Sequence, residues 1–141
     1  YFILTAVSKV PSGIFWRLLV GTLVMLIGGY AAEAGMINVN AGFFIGMAGW
    51  IYILYEIFAG EAGQIANRMK GPAAGAFNFC KWVVTIGWSI YPLGYLFGLM
   101  MGSADAVTLN VIYHLADLLN KIGFGLVIYA AAKQMTPASQ K

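Results

Sequence analysis

Asp117 and Lys121 stand four residues apart inside a long apolar run, a carboxylate and an amine sharing one face of a helix. An ionisable group at the centre of a bilayer costs about 3 kcal/mol on insertion scales, so such groups face a protein interior and serve a purpose there. Two kinds of chemistry fit the pair. One is a structural ion pair, or a proton or ion site in a transporter. The other is a Schiff base: a desolvated amine favours its neutral, nucleophilic form and condenses with an aldehyde. Once protonated, such an adduct is a buried cation that needs a carboxylate, and Asp117 is one turn away. From these two residues alone both chemistries stay open.

The surroundings narrow the choice. Trp88, Tyr91 and Tyr95 fall at i, i+3 and i+7 as one aromatic stripe, and Pro92 removes a backbone hydrogen bond and kinks the helix beside them. A second segment carries Phe43, Gly46 and Trp50, with Tyr52 and Tyr55 further along. A single stripe of this kind is helix packing. Several helices that place aromatic or small residues at the depth of a buried lysine describe a flat apolar slot ending at an amine and a carboxylate. The single cysteine, Cys80, excludes an internal disulfide and any multi-cysteine metal site.

The elements that must position these residues follow from composition. The 141 residues are 61% hydrophobic and 9% charged, with a mean hydropathy of +0.81, too little charge to cover a soluble domain. A membrane helix needs about 20 apolar residues to cross about 30 Å of hydrocarbon. Four segments qualify: about 13–36, 40–60, 73–101 and 107–133, with a polar tail at 134–141. Residues 1–8 read as the end of a further helix cut off upstream, because the chain opens in an apolar run without an initiator Met. The breaks carry turn residues: Pro11-Ser12-Gly13, Asn38-Val39-Asn40, Lys70-Gly71-Pro72 and Gly102-Ser103-Ala104-Asp105. The apolar runs never alternate at period two, so helices and not barrel strands are expected, in one all-α bundle.

The basic residues give an orientation. Lys9 and Arg17 flank the first loop, Arg68, Lys70 and Lys81 surround the third, and Lys133 and Lys141 close the chain. The loops near 36–40 and 102–106 carry no Lys or Arg. By the positive-inside rule the basic side, and with it the C-terminus, is cytoplasmic.

Trp88-Ser89-x-Tyr91-Pro92 followed by Asp117-x-x-x-Lys121 resembles the sixth- and seventh-helix signature of the microbial rhodopsins, most nearly the proteorhodopsins among them. Gly21-Thr22-Leu23-Val24-Met25-Leu26, Tyr30 and Glu33-Ala34-Gly35 are similar to the fourth helix of that family. Trp50-Ile51-Tyr52-Ile53-Leu54-Tyr55-Glu56 with Ala59-Gly60-Glu61 is similar to the fifth, and Asn110, Tyr113, Leu115-Ala116-Asp117 and Asn120-Lys121-Ile122 to the seventh. The likeness covers essentially the whole chain. It implies the C-terminal part of a seven-transmembrane-helix bundle of bacteriorhodopsin type, with residues 1–8 ending helix C and the four spans as helices D to G.

The resemblance also implies a set of roles. Lys121 would bind all-trans retinal covalently, and Asp117 would belong to its counterion complex. Trp88, Tyr91, Pro92 and Tyr95, then Phe43, Gly46 and Trp50, then Met25 and Gly29 would line the polyene and ring, and Asn120 would sit near the Schiff base. Phe43 stands where antenna-binding relatives have glycine, so a side opening there would be filled. The photochemistry belongs to such a cofactor, and the protein supplies a shaped pocket and placed charges without being an enzyme. The implied activity is outward light-driven proton pumping in a bacterial inner membrane. The alternatives are a sodium or chloride pump on the same scaffold, or a sensory rhodopsin. The expected partners are the lipid bilayer, the transported proton and further copies of the chain, with no nucleic acid. The primary acceptor and the proton donor of family pumps lie on helix C, upstream of Tyr1.

Four further expectations concern individual groups. Glu33 is a solvated or interfacial carboxylate at the extracellular end of its helix. Glu56 and Glu61 pair loosely with Arg68 or Lys70, at little energetic value. Gly42, Gly46, Gly94, Gly98 and Gly102 serve close helix packing through small-x-x-x-small spacing. His114 lies within one turn of Asp117, and both readings, beside the transport path or turned away from it, stay open.

Overall fold

A computed structural model describes residues 1–102 and 105–136, and every described element is helical. The short α1 (Phe2–Thr5) precedes α2 (Ser12–Glu33), α3 (Val39–Phe58) and α4 (Glu61–Ala66). Next comes α5 (Pro72–Trp82), which runs through a π-helical stretch (Val83–Gly87) into α6 (Ile90–Tyr95) and a second π stretch (Leu96–Met100). The long α7 (Ala106–Met135) closes the described chain. Ser103 and Ala104 of the expected last turn, and residues 137–141 of the expected polar tail, lie outside the described residues.

The helix ends have local causes. α2 stops at Glu33, a little before the expected end near 36, because Gly35 takes a left-handed φ of 71°. With it the Met36 N–H reaches the Ala31 carbonyl at 2.8 Å and the Gly35 N–H reaches Ala32 at 3.0 Å, the paired bonds that close a helix C-terminus. Asn38 starts α3 by accepting the Asn40 N–H at 2.9 Å. Asp105 starts α7 by accepting from the Thr108 N–H at 2.9 Å and the Thr108 hydroxyl at 2.6 Å.

Ser12–Glu33, Val39–Ala66 and Val107–Met135 are long and apolar enough to cross a membrane. Most large apolar side chains on these helices face outward, as they do when lipid is the solvent. The buried core is small and sits at one end, where Leu4, Ile14, Ile57, Ala62 and Phe77 meet from α1 to α5. Elsewhere the helices are held by close backbone approach. A Cβ on Gly49 would lie 2.6 Å from Met25 N and 2.7 Å from Gly21 O, so α2 and α3 touch backbone to backbone there. Gly42 of α3 meets Ala32 and Gly28 in the same way, while Gly94 and Gly98 face Tyr113 and Leu109 of α7. Gly102 does not share this packing role. A methyl group there would meet nothing within 4 Å, and its φ of 61° turns the chain.

The acidic residues near the core end pair differently from the sequence expectation. Glu56 is 2% exposed and accepts Arg17 Nε at 2.9 Å, Arg17 Nη2 at 3.1 Å and the Ala62 N–H at 3.1 Å. Arg17 Nη2 also reaches Glu61 Oε2 at 2.7 Å. Arg68 and Lys70, the expected partners, lie in the turn beyond α4. Arg17 prevails because the antiparallel pairing of α2 with α3 sets its first turns beside the last turn of α3, and the break at Gly60 folds α4 back over both. A buried carboxylate with a fork of guanidinium donors is a strong contact, not a loose surface pair.

Candidate functional site

A cavity of about 870 Å³ opens between α2, α3, the 83–95 stretch and α7. Lys121, Asp117, Asn120, Trp88, Tyr91, Pro92, Tyr95, Trp50, Gly46, Phe43, Met25 and Gly29 all line it. At one side Lys121 Nζ lies 2.6 Å from Asp117 Oδ2, and the Tyr91 hydroxyl donates to the other oxygen, Oδ1. The carboxylate is thereby fixed from two helices, its own α7 and α6.

The aromatic walls are held by an irregular backbone. In the first π stretch the Trp88 N–H donates to Val83 O at 3.0 Å and the Ser89 N–H to Ile86 O at 3.2 Å. The Val84 carbonyl accepts the indole N–H of Trp50 at 2.9 Å. The Gly87 carbonyl would meet residue 92 in a continued π register, but Pro92 has no N–H, and the Asn120 amide donates to it at 3.1 Å. Tyr113 adds a bond from its hydroxyl to Tyr91 O at 3.3 Å. A bilayer offers no water to such carbonyls, so these side chains on α3 and α7 supply what the irregular helix lacks. Each one also locks a cavity wall in place. Phe43 stacks on Tyr95 with centroids 5.8 Å apart, and the Tyr95 hydroxyl donates to Val39 O at 3.3 Å.

Gly29 and Gly46 keep the space open. A Cβ on Gly29 would meet nothing within 4 Å, and one on Gly46 would meet only Met25 O at 3.5 Å. The resulting shape is wide, flat-walled and apolar, with a primary amine and a carboxylate at one side. It suits a long planar apolar molecule with an electrophilic carbonyl end.

Lys121 is expected from the sequence to be buried, yet its side chain is 76% exposed and that of Asp117 is 42% exposed. α7 packs mainly along α5 and the stretches that follow, and this chain leaves the rest of its surface uncovered. The cavity also reaches residues that the sequence pattern did not assign to it: Thr22, Leu26, Tyr30 and Glu33 on α2, Met47 on α3, and Phe124 on α7. With Met25 and Gly29, the α2 set falls at steps of three and four, so continuing the helical face from the two assigned residues would have found it.

A family model described as bacteriorhodopsin-like protein matches residues 1–135. The chain belongs to the bacteriorhodopsin-like family. Among curated relatives, the blue-light absorbing proteorhodopsin of Gamma-proteobacterium Hot 75m4 is 47% identical over 135 residues, covering 94% of this chain and 53% of that protein. The green-light absorbing proteorhodopsin of Gamma-proteobacterium EBAC31A08 is 44% identical over 133 residues, with the same two shares. In three dimensions this bacteriorhodopsin-like chain is similar to the crystal structure of a blue light-absorbing proteorhodopsin from Med12. The TM-score is 0.73 at 45% identity, covering 89% of this chain and 57% of the other. The chain spans about half the length of the curated relatives it matches. It is an all-α, multi-pass membrane protein.

Proposed function

We propose that this chain provides much of the binding pocket of a retinal protein, and that the whole protein is a light-driven outward proton pump. The observation that carries this is the Lys121–Asp117 pair at 2.6 Å, set beside an aromatic-walled cavity in a bacteriorhodopsin-like bundle. Lys121 is the attachment point for all-trans retinal, and Asp117 is a counterion to the cation formed there. Retinal supplies light absorption and isomerisation when bound. Tyr91, through its hydroxyl, orients Asp117 so that one carboxylate oxygen stays turned toward Lys121. Trp88, Pro92, Tyr95, Trp50, Phe43 and Met25 form flat walls that restrict which bond can turn, while Gly29 and Gly46 leave room along the slot. Asn120 holds the backbone at Gly87 beside the pocket.

The relatives' greater length supports a bundle whose further helices cover the exposed face of α7 and exclude water from Lys121. The basic loops support an orientation with the C-terminus in the cytoplasm, and the proteobacterial relatives support a bacterial inner membrane as its location. Copies of the protein are proposed to associate within it. The test uses cells that express the full-length protein with added retinal, in unbuffered medium under illumination. Acidification abolished by a protonophore, and indifferent to sodium and chloride, is the expected result. Alkalinisation enhanced by a protonophore would replace the proton by another ion. A light response without any pH change would replace the pump by a sensor.

A further inference from the structure

One face of α7 carries a line of polar side chains. Asn110, His114, Asp117 and Lys121 follow at steps of four, three and four, and the last three line the cavity. His114 is the one histidine of the sequence. Its Nδ1 lies 2.5 Å from the Asn110 carbonyl oxygen. A carbonyl oxygen only accepts, so Nδ1 carries the proton, and in the neutral ring Nε2 keeps its lone pair. The imidazole is thus held in one tautomer by its own helix, one turn from a carboxylate already engaged by Lys121 and Tyr91.

The other groups around the cavity define what a charge on His114 would meet. From α2 come the Glu33 carboxylate and the Tyr30 phenol, and from α6 the phenols of Tyr91 and Tyr95. α7 adds Tyr113 to Asp117 and Lys121, and α3 contributes apolar residues and glycine only. Lys121 and Asp117 offset one another, so Glu33 leaves the described wall with an excess negative charge while His114 is neutral. Phenols exchange protons near pH 10, and carboxylates near pH 4. An imidazole exchanges them between about pH 5 and pH 8, and an imidazolium here would have the Asp117 carboxylate one turn away.

We propose that His114 is a proton-exchanging residue of the cavity. Nε2 takes up a proton to give an imidazolium and gives it back, and the charge acts on Asp117 one turn away. This rests on the retinal-protein reading for its optical readout, though not for the proton exchange itself. A positive charge beside Asp117 weakens the carboxylate's hold on the cation at Lys121. The visible band therefore moves to longer wavelength when His114 is charged.

The test takes the full-length protein with retinal and records its spectrum from about pH 5 to about pH 8. It is compared with His114→Asn and His114→Gln. In parallel, the side-chain nitrogens of ¹⁵N-histidine-labelled protein are followed by NMR, with the His114 signal assigned through its backbone neighbours. The expected result is a one-proton shift to longer wavelength on acidification that both variants lose, with the Nε2 signal changing from bare to protonated over the same range. A shift that persists in both variants belongs to a carboxylate and overturns the proposal. So does a His114 signal that stays neutral throughout, and this measurement decides the matter should the variants fail to fold. Absence of any visible band would overturn the retinal reading, while the NMR titration would still decide His114.

Discussion

Replacing Gly49 by alanine sets one methyl group against two stretches of backbone. The added Cβ would stand 2.6 Å from Met25 N, 2.7 Å from Gly21 O and 3.0 Å from Met25 Cα, where an ordinary contact begins at 3.4 Å. Neither neighbour is a flexible side-chain tip, so α2 and α3 must part by roughly 0.7–0.8 Å, within the 0.5–1 Å gap that forfeits a quarter to a half of a contact's attraction. The loss extends along the seam, because Gly21 packs on Ile53 and Tyr52, and Gly28 on Ile45, along the same pair of helices. Overpacking of this kind costs about 1–3 kcal/mol. Alanine returns about 1 kcal/mol of helix propensity, leaving a net loss of up to about 2 kcal/mol. Gly75→Ala on α5, away from the cavity, provides the control, since its methyl meets nothing within 4 Å and only the propensity gain of about 1 kcal/mol applies. Reversible unfolding in mixed micelles with rising sodium dodecyl sulfate would measure both. The expected separation between the two variants is the overpacking cost itself, about 1–3 kcal/mol, with Gly49→Ala the weaker. Equal stability of the two would refute the backbone-to-backbone packing of α2 on α3.

Arg17→Met strands the buried carboxylate of Glu56 with only the Ala62 N–H. It is expected to destabilise the protein far more than Lys70→Met, which alters an exposed residue, and the same unfolding assay ranks them. At the start of α7, the Thr108 hydroxyl and N–H hold the Asp105 carboxyl below the usual carboxylate range. A depressed folded value means that the cap's contribution is fully present above the unfolded value near about 3.9 and fades as pH falls through the folded one. Exchange of the Thr108 amide hydrogen should therefore be fully protected above about pH 4 and lose protection below it, relative to its intrinsic rate, and Asp105→Ala should remove that dependence while Asp105→Asn keeps much of the cap.

Much of the site was legible because polarity is rare in this chain. Asp117 and Lys121 stand out against apolar surroundings, and the aromatic and small residues of α3, α6 and α7 recur at helical spacing around them. Asn38 and Asp105 mark helix starts by chemistry that the sequence displays, whereas the stop at Gly35 comes earlier than the apolar run suggests. What was not legible depends on register between helices. Arg17 meets Glu56 only because α2 and α3 run antiparallel at one particular offset, and charge counting favoured the nearer Arg68 and Lys70. The π stretch at 83–87 is a change of hydrogen-bond partner, and composition carries no trace of it beyond Pro92. The roles of Trp50 and Asn120 as donors to the Val84 and Gly87 carbonyls were hidden for the same reason. The exposure of Lys121 follows from which faces of α7 this chain covers, and local spacing does not reveal that.

The central claim is that Lys121 forms the covalent link to retinal. The most direct test is to reconstitute the full-length protein with retinal, trap the Schiff base with borohydride, digest the product and weigh the peptides. The account predicts a retinyl group on the peptide containing Lys121, and loss of both the adduct and the visible band in Lys121→Ala. A retinyl group on Lys81 or Lys133 instead, or a visible band that survives denaturation of Lys121→Ala, would contradict it.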